Sequence, residues 1–241
     1  MRAPRKQPVF LRTDERTAFP DPELYDRDGL VAIGGDLGSR RLLQAYRQGI
    51  FPWYAEGYVP MWWSPDPRAQ VTPAKLHVPR RLRRVLRRAD FELTWNRCFA
   101  RVMTECGKRR TEGTWVIPEM VVAYTRLHEL GHAHSLEVWQ DGELVGGTYG
   151  VQIGAMFAAE SKFHRRTDMS KVALVALIGS LFAAGIELLD VQFTTTHLQS
   201  LGAFEVPRKE YLASLRVARQ RTVDLRRLVP RILLPNATDD D

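Results

Sequence analysis

Residues 168–193, DMSKVALVALIGSLFAAGIELLDVQF, constrain the fold more than any other stretch of the chain. The first part reads as a long apolar helix opened by Asp168 or Ser170, and the second as a buried strand. No apolar run reaches the length that spans a bilayer, so both must be covered by the rest of the chain. The strand also carries a conflict. Asp190 and Gln192 stand two residues apart among Leu, Val and Phe, where alternation would project an acid and an amide from one face. Burying them requires partners.

The flanking patterns predict what surrounds this unit. SLEVWQDGELVGGTYGVQIGAMFAAESKF reads as two alternating strands joined by Asp141-Gly142, the strongest short hairpin signal, and then a third strand. FELTWNRCFARVMTEC reads as a strand running into a helix. IPEMVVAYTRLHELG reads as a helix from Pro118 to Gly131, HLQSLGAF as a short helix and KEYLASLRVAR as another. This order predicts an α+β fold with a mixed sheet; it matches the second half of a GNAT-type acyltransferase and also fits other α+β domains. The Pro-, Gly-, Trp- and Tyr-rich residues 1–66 read as a small N-terminal domain of turns around one helix, DLGSRRLLQAYRQG. That helix starts near Asp36 or Ser39 and stops at Gly49. IFPWYAEGYVPMWWSPDPRAQV is expected to lack regular structure. Residues 67–232 form the larger domain, and 233–241 a disordered polar tail.

The net charge of +7 is concentrated in one place. Between Lys75 and Arg110 there are 12 Lys and Arg against Asp90, Glu92 and Glu105, a local excess of +9. LHVPRRLRRVLRR is an amphipathic helix with Pro79 in its first turn. Leu82, Val85 and Leu86 form its apolar stripe, and Arg80, Arg81, Arg83, Arg84, Arg87 and Arg88 fill the other face. Six arginines in nine residues repel one another, and phosphates relieve that repulsion, so this face is expected to contact a nucleic-acid backbone. No helix-turn-helix, zinc-finger or RNP motif accompanies it, so sequence readout is not expected. Trp62 and Trp63 read as core. Trp53 and Trp115 lie in Gly/Pro-bounded segments where an indole face can stay open to stack an unpaired base.

Other candidates are weaker. Gly34-Gly35-Asp36 lacks the phosphate-loop pattern and reads as a turn and cap. His132 and His134 have a spacing seen in metal sites but no Cys or carboxylate partners nearby, so no metal is expected. Cys98 and Cys106 form no disulfide framework and read as packing residues of a reducing cytoplasm. The start of the chain has no signal-peptide core. Glu160 follows the apolar run Met156–Ala159, where a carboxylate needs a reason, and Arg165 and Arg166 precede the apolar helix, whose N-terminus favours anions. An acyl-CoA enzyme would carry a Gly-rich pyrophosphate loop there. HRRTDMSK has no glycine, so no CoA cofactor is expected and the acyl donor is held another way.

Several stretches together, GLVAIGGDLGSRRLLQAYRQGIFPWY, WWSPDPRA, EGTWVIPEMVVAYTRLHELGHAHSLEVW, ELVGGTYGVQIGAMFAAES and LLDVQFTTTHLQSLGAFEVPR, closely resemble the leucyl/phenylalanyl-tRNA–protein transferase family over about residues 28 to 212. The resemblance implies a bacterial cytoplasmic enzyme of the N-end rule pathway. Such an enzyme moves Leu or Phe, with Met as a further donor, from aminoacyl-tRNA to an N-terminal Arg or Lys of an acceptor protein, marking it for degradation. It also implies a monomer with a GNAT-like C-terminal domain and no metal or cofactor. By position in these motifs, it implies that Asp190 and Gln192 handle the attacking α-amino group. Glu160 falls near the acceptor's cationic side chain, Trp53 and Trp115 hold the terminal adenosine, and Arg80, Arg84 and Arg87 bind tRNA. Phe157, Leu177, Leu181 and Leu189 fall around the donor's side-chain pocket. Thr148 and Lys162 depart from the family there, standing where methionine is common.

The residues suit that chemistry. Aminolysis of an aminoacyl ester is downhill, and an α-amino group with a pKa of roughly 7.7–8 is partly neutral at cellular pH. Orientation then supplies most of the acceleration, up to about 7–11 kcal/mol. The expected arrangement has the Gln192 oxygen orienting the amine, with Asp190 and Glu160 facing one acidic cleft. Replacing Asp190 or Gln192 by Ala is then expected to lower transfer and spare the fold. Two other readings remain open: a CoA-dependent acetyltransferase, and a non-catalytic tRNA-binding module that would leave the buried acid and amide unexplained.

Overall fold

The first third of the chain pairs more regularly than its composition suggests. The computed structural model describes residues 6–13, 17–108 and 114–232. Strands β1 (Val9–Leu11) and β2 (Leu30–Gly34) precede helix α1 (Ser39–Arg47), and β3 (Phe51–Pro52) and β4 (Met61–Trp63) follow it. They form a sheet of order β1-β2-β4-β3. IFPWYAEGYVPMWW therefore does contain regular structure, contrary to its Pro- and Trp-rich reading. Pro52 is accommodated because β3 is an edge strand, where a missing N–H leaves no ladder bond unmade. At the start of α1, the Asp36 carboxylate accepts from the Gly38 N–H and from Arg41, a turn rather than a side-chain cap, because Gly38 is the N-cap residue.

The rest of the chain builds a larger sheet. In chain order come β5 (Arg68–Val71), α2 (Arg80–Arg88), β6 (Glu92–Trp95), α3 (Phe99–Gly107), α4 (Pro118–Glu129), β7 (Ala133–Gln140), β8 (Glu143–Ile153) and β9 (Met156–His164). Then follow α5 (Met169–Ala183), β10 (Leu188–Gln192), α6 (Thr196–Gln199), β11 (Phe204–Val206) and α7 (Arg208–Ala218). The strand order is β11-β5-β10-β9-β8-β7-β6, and only β9 and β10 are parallel. This is an α+β architecture with a mixed sheet. Asp141 and Gly142 both take positive φ, as the tight β7–β8 turn requires. α5 packs on β7, β8 and β9 and is buried nearly all round. A Cβ at Gly146 of β8 would meet the Met169 backbone at 2.9 Å, so glycine sets how closely helix and sheet approach. Asp168 precedes α5 but makes no side-chain cap; its carboxylate binds Lys171 and Arg81 instead.

Two apolar cores lie within this arrangement. One holds α5, Leu82 and Leu86 of α2, and Leu136, Val138 and Phe157. The other joins Val31, Leu42, Tyr46 and Trp62 to Met103, Met120, Tyr124 and Tyr149, so both sheets contribute to it. The parallel pairing of β10 with β9 covers only Leu188–Asp190 against Met156–Ala158, while β9 runs on beside β8 to His164. Past Asp190 the strands part and a cleft opens. The expected tail, 233–241, lies outside the described residues.

Candidate active site

Asp190 is fully buried, and its partner is Arg68 of β5. Arg68 Nε donates to Oδ1 at 2.8 Å and Nη2 to Oδ2 at 2.6 Å, a bidentate pair. Tyr211 Oη donates to Oδ2 at 2.9 Å, and the Gln192 N–H to Oδ1 at 2.9 Å. The Arg68 guanidinium also donates to the Gly49 carbonyl and lies over the rings of Phe51 and Tyr211. Asp190 therefore does not face the cleft as strand alternation predicts. The β10–β5 register skips Val191, and Gln192 takes a φ of +57°, so a bulge re-aims the amide while the acid stays in the core. Arg68 neutralises Asp190, which adds no uncompensated acidity to the cleft.

Gln192 lines the cleft beside Glu160 of β9. Gln192 Nε2 donates to Glu160 Oε1 at 3.1 Å, and Tyr46 Oη donates to the same oxygen at 2.7 Å. Tyr46 is in turn 2.6 Å from the hydroxyl of Tyr124. The Gln192 side-chain oxygen has no hydrogen-bond partner among the described residues. Burial, reinforced by the negative charge of Asp190 and opposed by the Tyr46 hydrogen bond and Arg68, pushes the Glu160 carboxyl up to about 8. An acid so poised ionises readily when a cation arrives beside it.

Gln192 and Glu160 line a cavity of about 780 Å³. One wall is aromatic, with Phe51, Trp53, Trp115 and Phe193. Trp53 is 44% exposed and lies 5.5 Å from Phe193 and 5.9 Å from Trp63, centroid to centroid. The structure thus brings Trp53 and Trp115 into one cavity with Gln192 and Glu160. Trp62, by contrast, is fully buried core. A smaller pocket of about 60 Å³ shares Glu160 and Gln192 and is lined by Thr148, Lys162, Leu174, Val191 and Leu198. Thr148 donates its hydroxyl to the Ser161 carbonyl and pairs across the strands with Lys162. Phe157, Leu177, Leu181 and Leu189 line neither space. At 1% exposure or less they belong to the core that holds α5, which corrects their expected place at the pocket surface.

On α2, Leu82 and Leu86 are buried, while Arg80, Arg84 and Arg87 are exposed. Arg81 reaches Asp168 at 3.4 Å, which joins the arginine face to the rim of the cavity. Arg165 and Arg166 are held by Glu105 and Asp141, away from any anion role at the helix start. His134 lies between Asn96 and Gln152 and stacks on Trp95; burial holds it down to about 4. Among the described residues no group of three or more His, Cys, Asp or Glu could hold a metal ion, and no helix is long and apolar enough to cross a membrane. The motifs do not point to Arg68, Tyr46, Tyr124 or Tyr211. The one available signal was an arginine opening the short segment RAQV.

Two family models match this chain. One, described as "Leucyl/phenylalanyl-tRNA protein transferase", covers residues 70–216, and the other, described as that family's N-terminal domain, covers residues 35–66. The chain is 54% identical over 211 residues to a leucyl/phenylalanyl-tRNA–protein transferase of Syntrophobacter fumaroxidans, covering 86% of this chain and 90% of that protein. It is 48% identical over 221 residues to the protein of the same name from Edwardsiella ictaluri, covering 91% and 89%. The corresponding Magnetococcus marinus protein is 50% identical over 217 residues, covering 88% and 92%.

Proposed function

The chain belongs to the leucyl/phenylalanyl-tRNA–protein transferase family, and we propose from its site that it transfers Leu or Phe, and Met as a further donor, from aminoacyl-tRNA to an N-terminal Arg or Lys of an acceptor protein. The observation that carries this reading is Gln192: its amide nitrogen is committed to Glu160, and its oxygen has no partner among the described residues and lines a cavity shared with Trp53 and Trp115.

In this reading the terminal adenosine stacks on Trp53 and Trp115, and the donor's side chain enters the pocket of Thr148, Lys162, Leu174 and Leu198. The neutral acceptor amine donates a hydrogen bond to the Gln192 oxygen, which aims its lone pair at the ester carbonyl. A carbon–nitrogen bond forms, the ester carbon–oxygen bond breaks, and the proton lost by the amine leaves with the ribose hydroxyl. Glu160 ionises as the acceptor's cationic side chain approaches. Asp190 touches no reactant; held by Arg68, it fixes the Gln192 backbone through that residue's N–H and is a positioning residue. Arg80, Arg84 and Arg87 hold the tRNA backbone. The parallel β9–β10 pair that parts at the cleft supports a GNAT-like description of residues 67–232, with 1–66 as a small N-terminal domain. The product is an N-degron, and the protein acts as a cytoplasmic monomer without cofactor.

Incubation of labelled Phe-tRNA with a protein bearing N-terminal Arg tests the reading. Label should pass to the acceptor, and Gln192→Ala should reduce transfer by about tenfold or more. An absence of transfer, or an unaffected variant, overturns it. Acetylation of the same acceptor from acetyl-CoA would favour the CoA-dependent alternative, and tRNA binding without transfer a binding module.

A further inference from the structure

One wall of the large cavity is basic, and of its side chains the proposed chemistry uses only Lys162. It is lined by Lys162, His164, Lys171 and His197, and Thr167 and Ser170 line the same cavity. Asp168, which lines the same cavity, is already shared by Lys171 at 3.0 Å and Arg81 at 3.4 Å. His197 Nε2 is buried and has no hydrogen-bond partner among the described residues. Burial, and then the charges of Lys162, Lys171 and His164, hold His197 below its ordinary value, so its ring stands beside positive charge. Positive charge gathered beside an unsatisfied ring nitrogen is relieved by an anion. The first turn of the 15-residue α5 lies beside them and adds its amide dipoles.

We propose that this wall, centred on Lys171 and His197, binds the phosphodiester on the 5′ side of the donor's terminal adenosine. The inference rests on the transferase reading above, which seats that adenosine on Trp53 and Trp115 in the same cavity. The acceptor is a poor candidate for the wall, because its N-terminus brings positive charge. The donor's backbone is the anion that must enter. The Arg81–Asp168 pair then continues the track outward to the arginines of α2, so a phosphate bound here leads the preceding nucleotides onto that helix.

Two donors separate the outcomes: phenylalanyl-adenosine, which has no phosphate, and phenylalanylated cytidylyl-(3′→5′)-adenosine, which carries this one. The parent protein should have the lower KM for the dinucleotide donor. Lys171→Ala, and independently His197→Ala, should reduce that advantage by about tenfold, while Lys171→Arg retains it. Equal KM values for the two donors in the parent, or an advantage unchanged in Lys171→Ala, overturns the proposal. So does an effect of Lys171→Ala on the acceptor's KM alone, which would assign the wall to the acceptor polypeptide. Failure of the parent to transfer from intact Phe-tRNA would instead remove the transferase reading itself.

Discussion

Asp190 receives four donors, two from Arg68 and one each from Tyr211 and the Gln192 backbone. Removing the carboxylate leaves the Arg68 guanidinium, 1% exposed, without its counter-ion. Asp190→Ala should therefore destabilise the protein by about 3–5 kcal/mol, measured by urea unfolding, rather than spare the fold. Gln192→Ala removes one hydrogen bond at a cavity wall and should cost about 1 kcal/mol while transfer falls. An Asp190→Ala protein as stable as its parent would show that Arg68 finds another partner. Glu160 sets a second expectation. Its carboxyl is pushed from an ordinary value of 4.5 up to about 8 in the folded protein. Between those two values the folded state holds a proton that the unfolded chain has released, so stability falls as pH rises through that window. Glu160→Gln keeps a neutral group at every pH. Its denaturation midpoint should exceed the parent's at pH values above 8 and converge with it near the ordinary carboxylate value. Parallel midpoint curves for the two proteins would contradict this.

At the level of elements, α2 separates stability from binding. Its two buried leucines hold it to the core, whereas Arg80, Arg84 and Arg87 are exposed and have no recorded acidic partner among the described residues. Replacing Arg80 and Arg84 together by Ala should change stability by less than about 0.5 kcal/mol. The slope of log K for tRNA against log salt should become shallower by about two. An unchanged slope would place the tRNA contact on another face. α2, α5 and the β7–β8 hairpin were legible because each repeats its pattern over many residues or carries a decisive turn. β3, β4, β5 and β11 were not: they span two to four residues, too few for a period of two to emerge. Their pairing is set by neighbours distant in the chain, and Pro52 and the paired tryptophans hid two of them.

The molecule as a whole is tied together across its two sheets. Tyr46 of α1 meets Tyr124 of α4 and Glu160 of β9, and Arg208 at the start of α7 donates to the carbonyls of Tyr25, Asp26 and Ser64. With one apolar core shared between the sheets, unfolding should be a single cooperative transition. Tryptophan fluorescence, which samples both sheets, and far-ultraviolet circular dichroism should give coincident midpoints; separated midpoints would mean independently folding units. The sequence by itself determined the apolar helix and its following strand, the hairpin, the basic helix face and the family to which these motifs belong. Each is written in a continuous segment whose periodicity or turn chemistry is local. Only the tertiary structure decided which polar groups face the reaction. Arg68 and Asp190 are 122 residues apart, and a one-residue bulge separates the directions of Asp190 and Gln192. A local pattern cannot encode either, because both depend on which strands become neighbours and in what register.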